Sequence, residues 1–391
     1  MKKLNLIAVI FLFMLAACGG NKQSGNPDDA LITVDVMASY PKKELILQDF
    51  MDVEYIPLET NNEFLCEGFV QDIGKHTILV KNYKSDGDIF VYDRTGKALR
   101  KINRMGKGPE EYNYALGITL DEENNEMFVN DHAPKKIMVY DLEGNFKRSF
   151  KHKEGNGSQF YTDIFNYDKD HLICYDEYNK EIPFVLVSKQ DGSIIKEIKI
   201  PFKEKKAAVA IREDAASGMT YSVSPGPCRS IIPYNGNWIL SEVSSDTVYS
   251  LLPDQNLRPF IVRTPPIESL DPEVFLMLRL FSDRYYFMET IKNEYNFDSR
   301  KGFPKTYFMY DRQEKAFSGY IAYNGDYSNK KEIYMSRLRP VSHEIESWQS
   351  INADDLLESL ENGHLKGKLK EVAEGLEEES NPVIMLVKHK K

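Results

Sequence analysis

The chain has 391 residues, a formal net charge of −10 and 42% hydrophobic residues. That is enough apolar material for a large core. The acidic balance excludes a general nucleic-acid binder, which needs a basic face to neutralise phosphates.

The N-terminus reads as a targeting segment. Met1-Lys2-Lys3 is a charged start, and Leu4–Leu15 is an apolar run too short to span a bilayer. Leu15-Ala16-Ala17-Cys18 places small residues before a cysteine and resembles a bacterial lipobox. The resemblance implies that residues 1–17 are a lipoprotein signal peptide and that Cys18 is acylated. Several acyl chains on one residue give stable anchoring where one chain is marginal. Residues 18–30, rich in Gly, Asn and Ser, read as a flexible tether. Residues 31–391 read as a single domain. The expected address is the outer membrane, with the bilayer itself a partner through the anchor.

Strand patterns begin at once. Ile32–Val36 and Val53–Leu58 alternate apolar and polar residues. A first repeat spans about 69–103: Phe69–Ile73, Thr77–Val80, Ile89–Tyr92 and Leu99–Ile102 are strand-like, with a turn at Asp93-Arg94-Thr95-Gly96. Four short strands per unit is the make-up of a propeller blade. The second repeat covers about 115–150 and turns at Asp141–Gly144. The third covers about 160–200 and turns at Gln190-Asp191-Gly192. The turn glycines Gly96, Gly144 and Gly192 are evenly spaced by 48 residues (144 − 96 and 192 − 144). A period of this size belongs to propeller arrays.

The later units are less regular. A polar insert over about 203–227 precedes a fourth, built from Ser230–Pro233, Trp238–Leu240 and Thr247–Tyr249, with a turn near Pro253-Asp254. The fifth has Tyr285–Met288 and Thr306–Tyr310, and the apolar stretch Glu273–Phe281 before it reads as a short helix. Ala353–Leu376 carries leucines at helical spacing, with Gly363 and Gly367 expected to break it. Val383–Val387 reads as a last strand. The expectation is an all-β, six-bladed propeller closed by strands from both termini, with a C-terminal helical segment. Val341–Trp348, Val383–Val387 and the region Ile32–Leu58 would supply the sixth blade and remove the exposed edges of an open array.

VEYIPLET, the hairpin DIFVYDRTGKALRKI and the loop MGKGPEEY carry a family resemblance, continued by KKIMVYDLEGNFKR, SSDTVYSLLPDQNLRPF and NPVIMLVKHK. Together they are similar to bacterial six-bladed β-propeller lipoproteins, related in architecture to NHL-repeat propellers. The resemblance covers nearly all of the chain after the tether. It implies a lipid-anchored envelope propeller and brings no catalytic residues with it. The chain departs from the family pattern at Lys107 and Glu110.

Arg104, Lys107, Glu110, Glu111 and Tyr112 form the candidate ligand-binding loop, where charges and a ring could meet a ligand. Gly106, Gly108 and Pro109 equally serve to turn the chain between blades. The loop lacks the third glycine and following helix of a nucleotide site. Asp131-His132, Asp163, Asp168, His171, Asp176, His343 and Glu344 show no metal-ligand spacing, and Asp in blade loops accepts backbone hydrogen bonds. Cys66, Cys174 and Cys228 fit no metal motif and read as small buried residues. Ser222 and Ser224 belong to no nucleophile motif. Tyr285–Phe287 and Tyr307-Phe308 could stack sugars, but alternate strand residues must face the core.

No catalytic residue, cofactor or metal site is expected. The expected function is a non-enzymatic module that binds a glycan, a peptide or an envelope protein. One alternative is a hydrolase or lactonase using a metal in the axial channel. Another is a structural subunit of an envelope complex, which would show a large exposed apolar patch.

Overall fold

The computed structural model describes residues 31–84, 86–152, 160–215, 217–226, 228–337, 341–343 and 345–390. Cys18, Glu344 and the whole signal and tether region lie outside them. Six sheets, each built on an antiparallel blade, surround an axial channel. Blade 1 is Phe69–Ile73, Thr77–Lys81, Asp88–Asp93 and Ala98–Asn103, running outwards from the axis. Blade 2 is Ala115–Asp121, Glu126–Asp131, Lys136–Asp141 and Phe146–Lys151. Blade 3 is Asp163–Asn166, His171–Tyr175, Phe184–Ser188 and Ile194–Ile198. Blade 4 begins at Ile231–Tyr234 and ends at Leu257–Thr264. Blade 5 begins at Val274–Phe281 and ends at Ala316–Tyr323. We call the face where the innermost strands of blades 1 to 5 begin the upper face.

The even spacing of the turn glycines has a steric cause. Gly96, Gly144 and Gly192 have φ of +87°, +85° and +70°, a region that side chains disfavour. Each also nests against the outermost strand of the preceding blade. A Cβ on Gly144 would meet the Ile102 side chain, and one on Gly192 the Phe150 ring. A Cβ on Gly96 would lie 2.1 Å from the Pro57 carbonyl oxygen. In each turn an Asp braces the loop: Asp93 accepts from the Thr95 and Lys97 amides, and Asp141 from those of Glu143 and Asn145. Clusters such as Leu79, Val91, Tyr112, Val129, Met138 and Tyr140 fill the spaces between blades.

Blade 6 is closed as expected from both termini, but with fewer strands. It has three, in the order Ile345–Ile351, Val383–His389, Met51–Pro57. Pro57 stands to Gly96 as Ile102 stands to Gly144, so Met51–Pro57 is the outermost strand of this blade. The other two strands then occupy the third and second places. Among the described residues no strand fills the innermost place.

The earlier part of the expected N-terminal contribution goes elsewhere. Ile32–Asp35 pairs in parallel with the outer strand of blade 4, and Lys42–Ile46 in parallel with the outer strand of blade 5. Each covers a sheet edge that would otherwise be exposed. The stretch read as a helix before blade 5 is instead the strand Val274–Phe281, with all eight residues buried. A continuous apolar run fits a strand buried on both faces as well as a helix, and only tertiary context separates them.

The tail forms two short helices, Ala353–Glu361 and Gly367–Ala373, separated where Gly363 takes φ +68°. The Asn352 side chain makes no capping bond. Leu356, Leu365 and Leu369 pack into the core between blades 5 and 6, beside Phe50, Tyr55 and Phe287.

Candidate functional site

The axial channel contains a cavity of about 610 Å³ in its upper part. Its wall is the first half of four innermost strands, around Phe69–Asp72, Leu116–Thr119, Thr162–Phe165 and Cys228–Ile231. Trp348, Gln349 and Ser350 of blade 6 complete it, with Arg337 and Val341. A smaller cavity of about 270 Å³ opens towards the lower face, around Gly74, Glu122, Asn166, Trp238 and His343. Asp72, Phe165 and Val341 line both.

Backbone irregularity shapes the upper cavity. Strand register shifts between Val70 and Asp72 and between Ala115 and Gly117. Each shift is a β-bulge, which re-aims side chains at a sheet edge. The extra residues are Gln71 and Leu116, and both line the cavity. Gly117 lines it too, and a Cβ there would meet nothing within 4 Å.

The polar groups of the wall are mostly uncharged. Asn130 is 3% exposed and donates through Nδ2 to the Tyr161 carbonyl at 2.7 Å. A carbonyl can only accept, so this bond fixes the amide orientation and leaves Oδ1 as the group without a partner. Ser350 Oγ also has no partner, and neither do Asn166 Oδ1 and His343 Nδ1 around the lower cavity. Asp72 accepts from the Leu120 amide at 2.7 Å and the Ile73 amide at 2.8 Å. Burial in the cavity wall nevertheless pushes its carboxyl up to about 7. Burial likewise pushes the Cys228 thiol up to about 12, which keeps it protonated.

Aromatic rings stand at the upper mouth. Tyr83, on the loop between the second and third strands of blade 1, is 60% exposed. It stacks on Phe69 at 4.6 Å and 17°, and Phe69 meets Trp348 at 6.2 Å.

The loop singled out in the sequence lies on the same face, where the chain passes from the outer strand of blade 1 to the inner strand of blade 2. None of its five candidate residues lines the cavity. Tyr112 is fully buried and donates to the Gly87 carbonyl. Glu111 accepts from the Gly108 amide, and Arg104 donates to the Gly144 carbonyl. Lys107 and Glu110 are exposed. The loop is thereby tied to blades 1 and 2.

Of the other described acidic candidates, only Asp163 reaches the upper cavity. Asp131 accepts from the Asn113 and Tyr114 amides, Asp176 from those of Phe160 and Tyr178, and Asp168 pairs with His171. Among the described residues no group of three or more His, Cys, Asp or Glu side chains is placed to hold a metal ion. Cys66, Cys174 and Cys228 are free thiols. Tyr285, Tyr286, Phe287 and Phe308 are buried core residues. Gln71, Asp72, Tyr83, Asn130 and Trp348 were not marked by any motif. The only local sign is Gln71-Asp72, two adjacent polar residues inside an otherwise strand-like run.

The chain belongs to the family of the domain of unknown function DUF4934, which it matches over residues 31–388. Comparison with curated proteins finds no match. Among solved structures, it is similar to a Bacteroides fragilis NCTC 9343 protein described as exported. The two share 15% identity and a TM-score of 0.61, over 93% of this chain and 100% of that one. A DUF4221 family member from Bacteroides vulgatus shares 11% identity at a TM-score of 0.48, over 87% and 97% of the two chains. A virginiamycin B lyase from Staphylococcus aureus shares 10% identity at 0.37, over 87% and 100%. At these identities the likeness concerns the fold.

Proposed function

We propose that the protein is an envelope propeller, anchored through acylated Cys18, that binds a ligand in its axial cavity and performs no chemistry on it. The observation that carries the binding reading is the axial cavity of about 610 Å³. It is walled by the innermost strands of four blades and by blade 6, so it exists only in the closed ring. A cavity of this size also falls within the range of about 300–1,000 Å³ usual for small-molecule sites. The groups around it are amides, hydroxyls and rings together with the charged side chains Asp72, Asp163, Arg229 and Arg337, which suit recognition. Asp72 uses both oxygens on backbone amides, which suits a positioned wall group better than a mobile acid or base. Membership of an exported, lipid-anchored class is supported by the lipobox-like Leu15–Cys18 and by the exported neighbour of like fold.

Gly117→Phe tests the binding reading. The site has room for a side chain, so the variant should fold and fill the cavity. Saturation-transfer NMR with a set of methyl glycosides, disaccharides and short peptides should show a probe that binds the wild type and not the variant. Equal responses from both proteins would refute the axial site. For the anchor, Cys18→Ala should move the protein from the detergent phase to the aqueous phase, and continued detergent partitioning would refute acylation at that residue.

A further inference from the structure

Resting on that reading of the axial cavity, we propose that its ligand is a short extended peptide that enters from the upper face, pairs with the inner edges of the wall strands and sets a carboxylate against Arg337. Backbone, charge and mouth each ask for one of these properties.

The backbone comes first. Each innermost strand in blades 1 to 5 has a neighbour on one side only and turns its other edge to the axis. At the lower end, side chains already bond to that edge. Asp72 accepts from the Leu120 amide, Asn166 donates to the Leu120 carbonyl at 3.2 Å, and Thr119 donates to the Ile164 carbonyl at 2.9 Å. Above that level the same edges face the open cavity. A strand edge is a template for another extended chain, whose main-chain hydrogen bonds supply affinity. Each of the four wall stretches lends four residues to the cavity. At about 3.3 Å per residue, that is the length of a peptide of about four residues.

The charges are uneven. Arg229, just before blade 4, donates to the Arg279 carbonyl at 2.8 Å, and behind it Arg279 and Lys305 both pair with the buried Glu289. Two cations there share one carboxylate. Arg337, between blades 5 and 6, is exposed and rests on the Tyr334 ring at 5.3 Å. Among the described residues no carboxylate pairs with it. This side of the wall therefore calls for an anionic group. Asp163 stands across the ring on blade 3, and a carboxylate has room for several donors, such as the N–H groups of the same peptide.

The mouth is aromatic. The exposed tyrosines among the described residues are Tyr83, Tyr178, Tyr221 and Tyr334. Tyr178 stands on the connection in blade 3 that matches that of Tyr83 in blade 1. Tyr221 stands on the hairpin Ala210–Asp214 and Met219–Val223 before blade 4, and Tyr334 between blades 5 and 6. All four connections emerge at the upper face. Tyrosine and arginine are enriched where proteins meet polypeptide partners.

Other ligand classes meet one demand and fail another. An apolar ligand leaves the strand edges and Arg337 bare. An inorganic anion meets Arg337 and leaves the edges unmatched. A neutral sugar brings no charge.

The test uses the full acylated chain in detergent and saturation-transfer NMR. The probes are three mixtures of capped tetrapeptides, random except for one position that is Glu, Gln or Lys, together with methyl β-glucoside and lactose. The Glu mixture should respond about threefold more strongly than the Gln mixture, the size of an exposed ion pair, and the Lys mixture least. Arg337→Ala, a change at an exposed side chain, should erase that preference and keep the response to the Gln mixture. Gly117→Phe should abolish all three responses. Should Gly117→Phe fail to fold, Arg337→Ala carries the decision with Tyr83→Ala, which should weaken the three mixtures alike. Peptides that bind Gly117→Phe as well as wild type sit elsewhere and overturn the proposal. A preference for Glu that is absent from the wild type, or that survives Arg337→Ala, overturns it too. A response from a glycoside alone, abolished by Gly117→Phe, overturns the peptide and leaves the axial site standing. No response from any probe overturns the peptide and counts against the axial site as well.

Discussion

Blade 1 and blade 6 are neighbours built on opposite principles. Blade 1 is continuous in sequence, has four strands, and is held by tight turns with Asp and Gly in fixed places. Blade 6 takes Met51–Pro57 from one end of the chain and Val383–His389 from the other, and has three strands. Local chemistry explains the first. The second exists only because the ring closes. The same difference creates the site. In the regular blades an innermost strand shields the second from the axis. In blade 6 no strand among the described residues takes that place, and Trp348, Gln349 and Ser350 of the second-place strand reach the cavity beside Arg337 and Val341. Opposite them blade 1 contributes the bulge at Gln71 and the ledge of Phe69 and Tyr83.

The largest expected effect comes from breaking the closure. Removing Asn381–Lys391 deletes the central strand of blade 6. It also deletes Asn381, whose side chain donates to the Glu59 and Phe64 carbonyls and accepts from the Cys66 amide. The truncated chain should show no cooperative melting transition by circular dichroism. A transition like that of the full chain would mean the ring does not depend on this strand.

A smaller effect separates the two blade junctions. Gly96→Ala pushes a methyl against the fixed Pro57 carbonyl, whereas Gly144→Ala meets only the flexible Ile102 side chain. Both suffer the left-handed backbone. Gly144→Ala should cost about 1–2 kcal/mol and Gly96→Ala about 3 kcal/mol or more. Equal losses in urea titrations would show that the closing junction is no more rigid than an ordinary one.

A pH effect should come from the wall of the cavity. The Asp72 carboxyl has an ordinary value near 3.8 and is pushed up to about 7 in the folded chain. Between these values the native protein keeps a proton that the unfolded chain has released. The contribution of Asp72 to stability is therefore lost as pH rises from about 4 through about 7. Asp72→Asn should flatten that fall in a series of thermal melts from pH 4.5 to 8. A slope identical to wild type would show that Asp72 stays ionised throughout.

The mildest expected effect on stability is that of Tyr83→Ala. The ring is mostly in solvent, and its loss should cost no more than about 1 kcal/mol. A large drop in melting temperature would make Tyr83 a structural residue of blade 1 and remove the case for a stacking ledge.

The contrast also shows what the sequence could reveal. The turn glycines at 96, 144 and 192 were legible because one local geometry repeats and each must fit the blade before it. The closing role of Val383–His389 was legible as a leftover strand. The parallel edge strands Ile32–Asp35 and Lys42–Ile46 were not, since an alternating pattern shows that one face is buried without naming the sheet. Val274–Phe281 was hidden because its burial on both faces erases the period. The cavity was less legible still. It joins single residues from positions 69 to 350, brought together only by the ring. Gly/Pro-rich segments attract attention in a sequence, and the loop at 104–112 did so, but its glycines and Tyr112 are engaged in tying blade 1 to blade 2.

Blade 6 and the ledge of blade 1 together frame the axial cavity in which a ligand is proposed to bind. The most direct measurement is a crystal structure of the protein soaked with the probe that responds in the NMR test. Density for the probe is expected in the axial cavity, between Tyr83 and Gly117. Density on another surface, or an axial cavity holding only water at a saturating concentration of the probe, would contradict that reading.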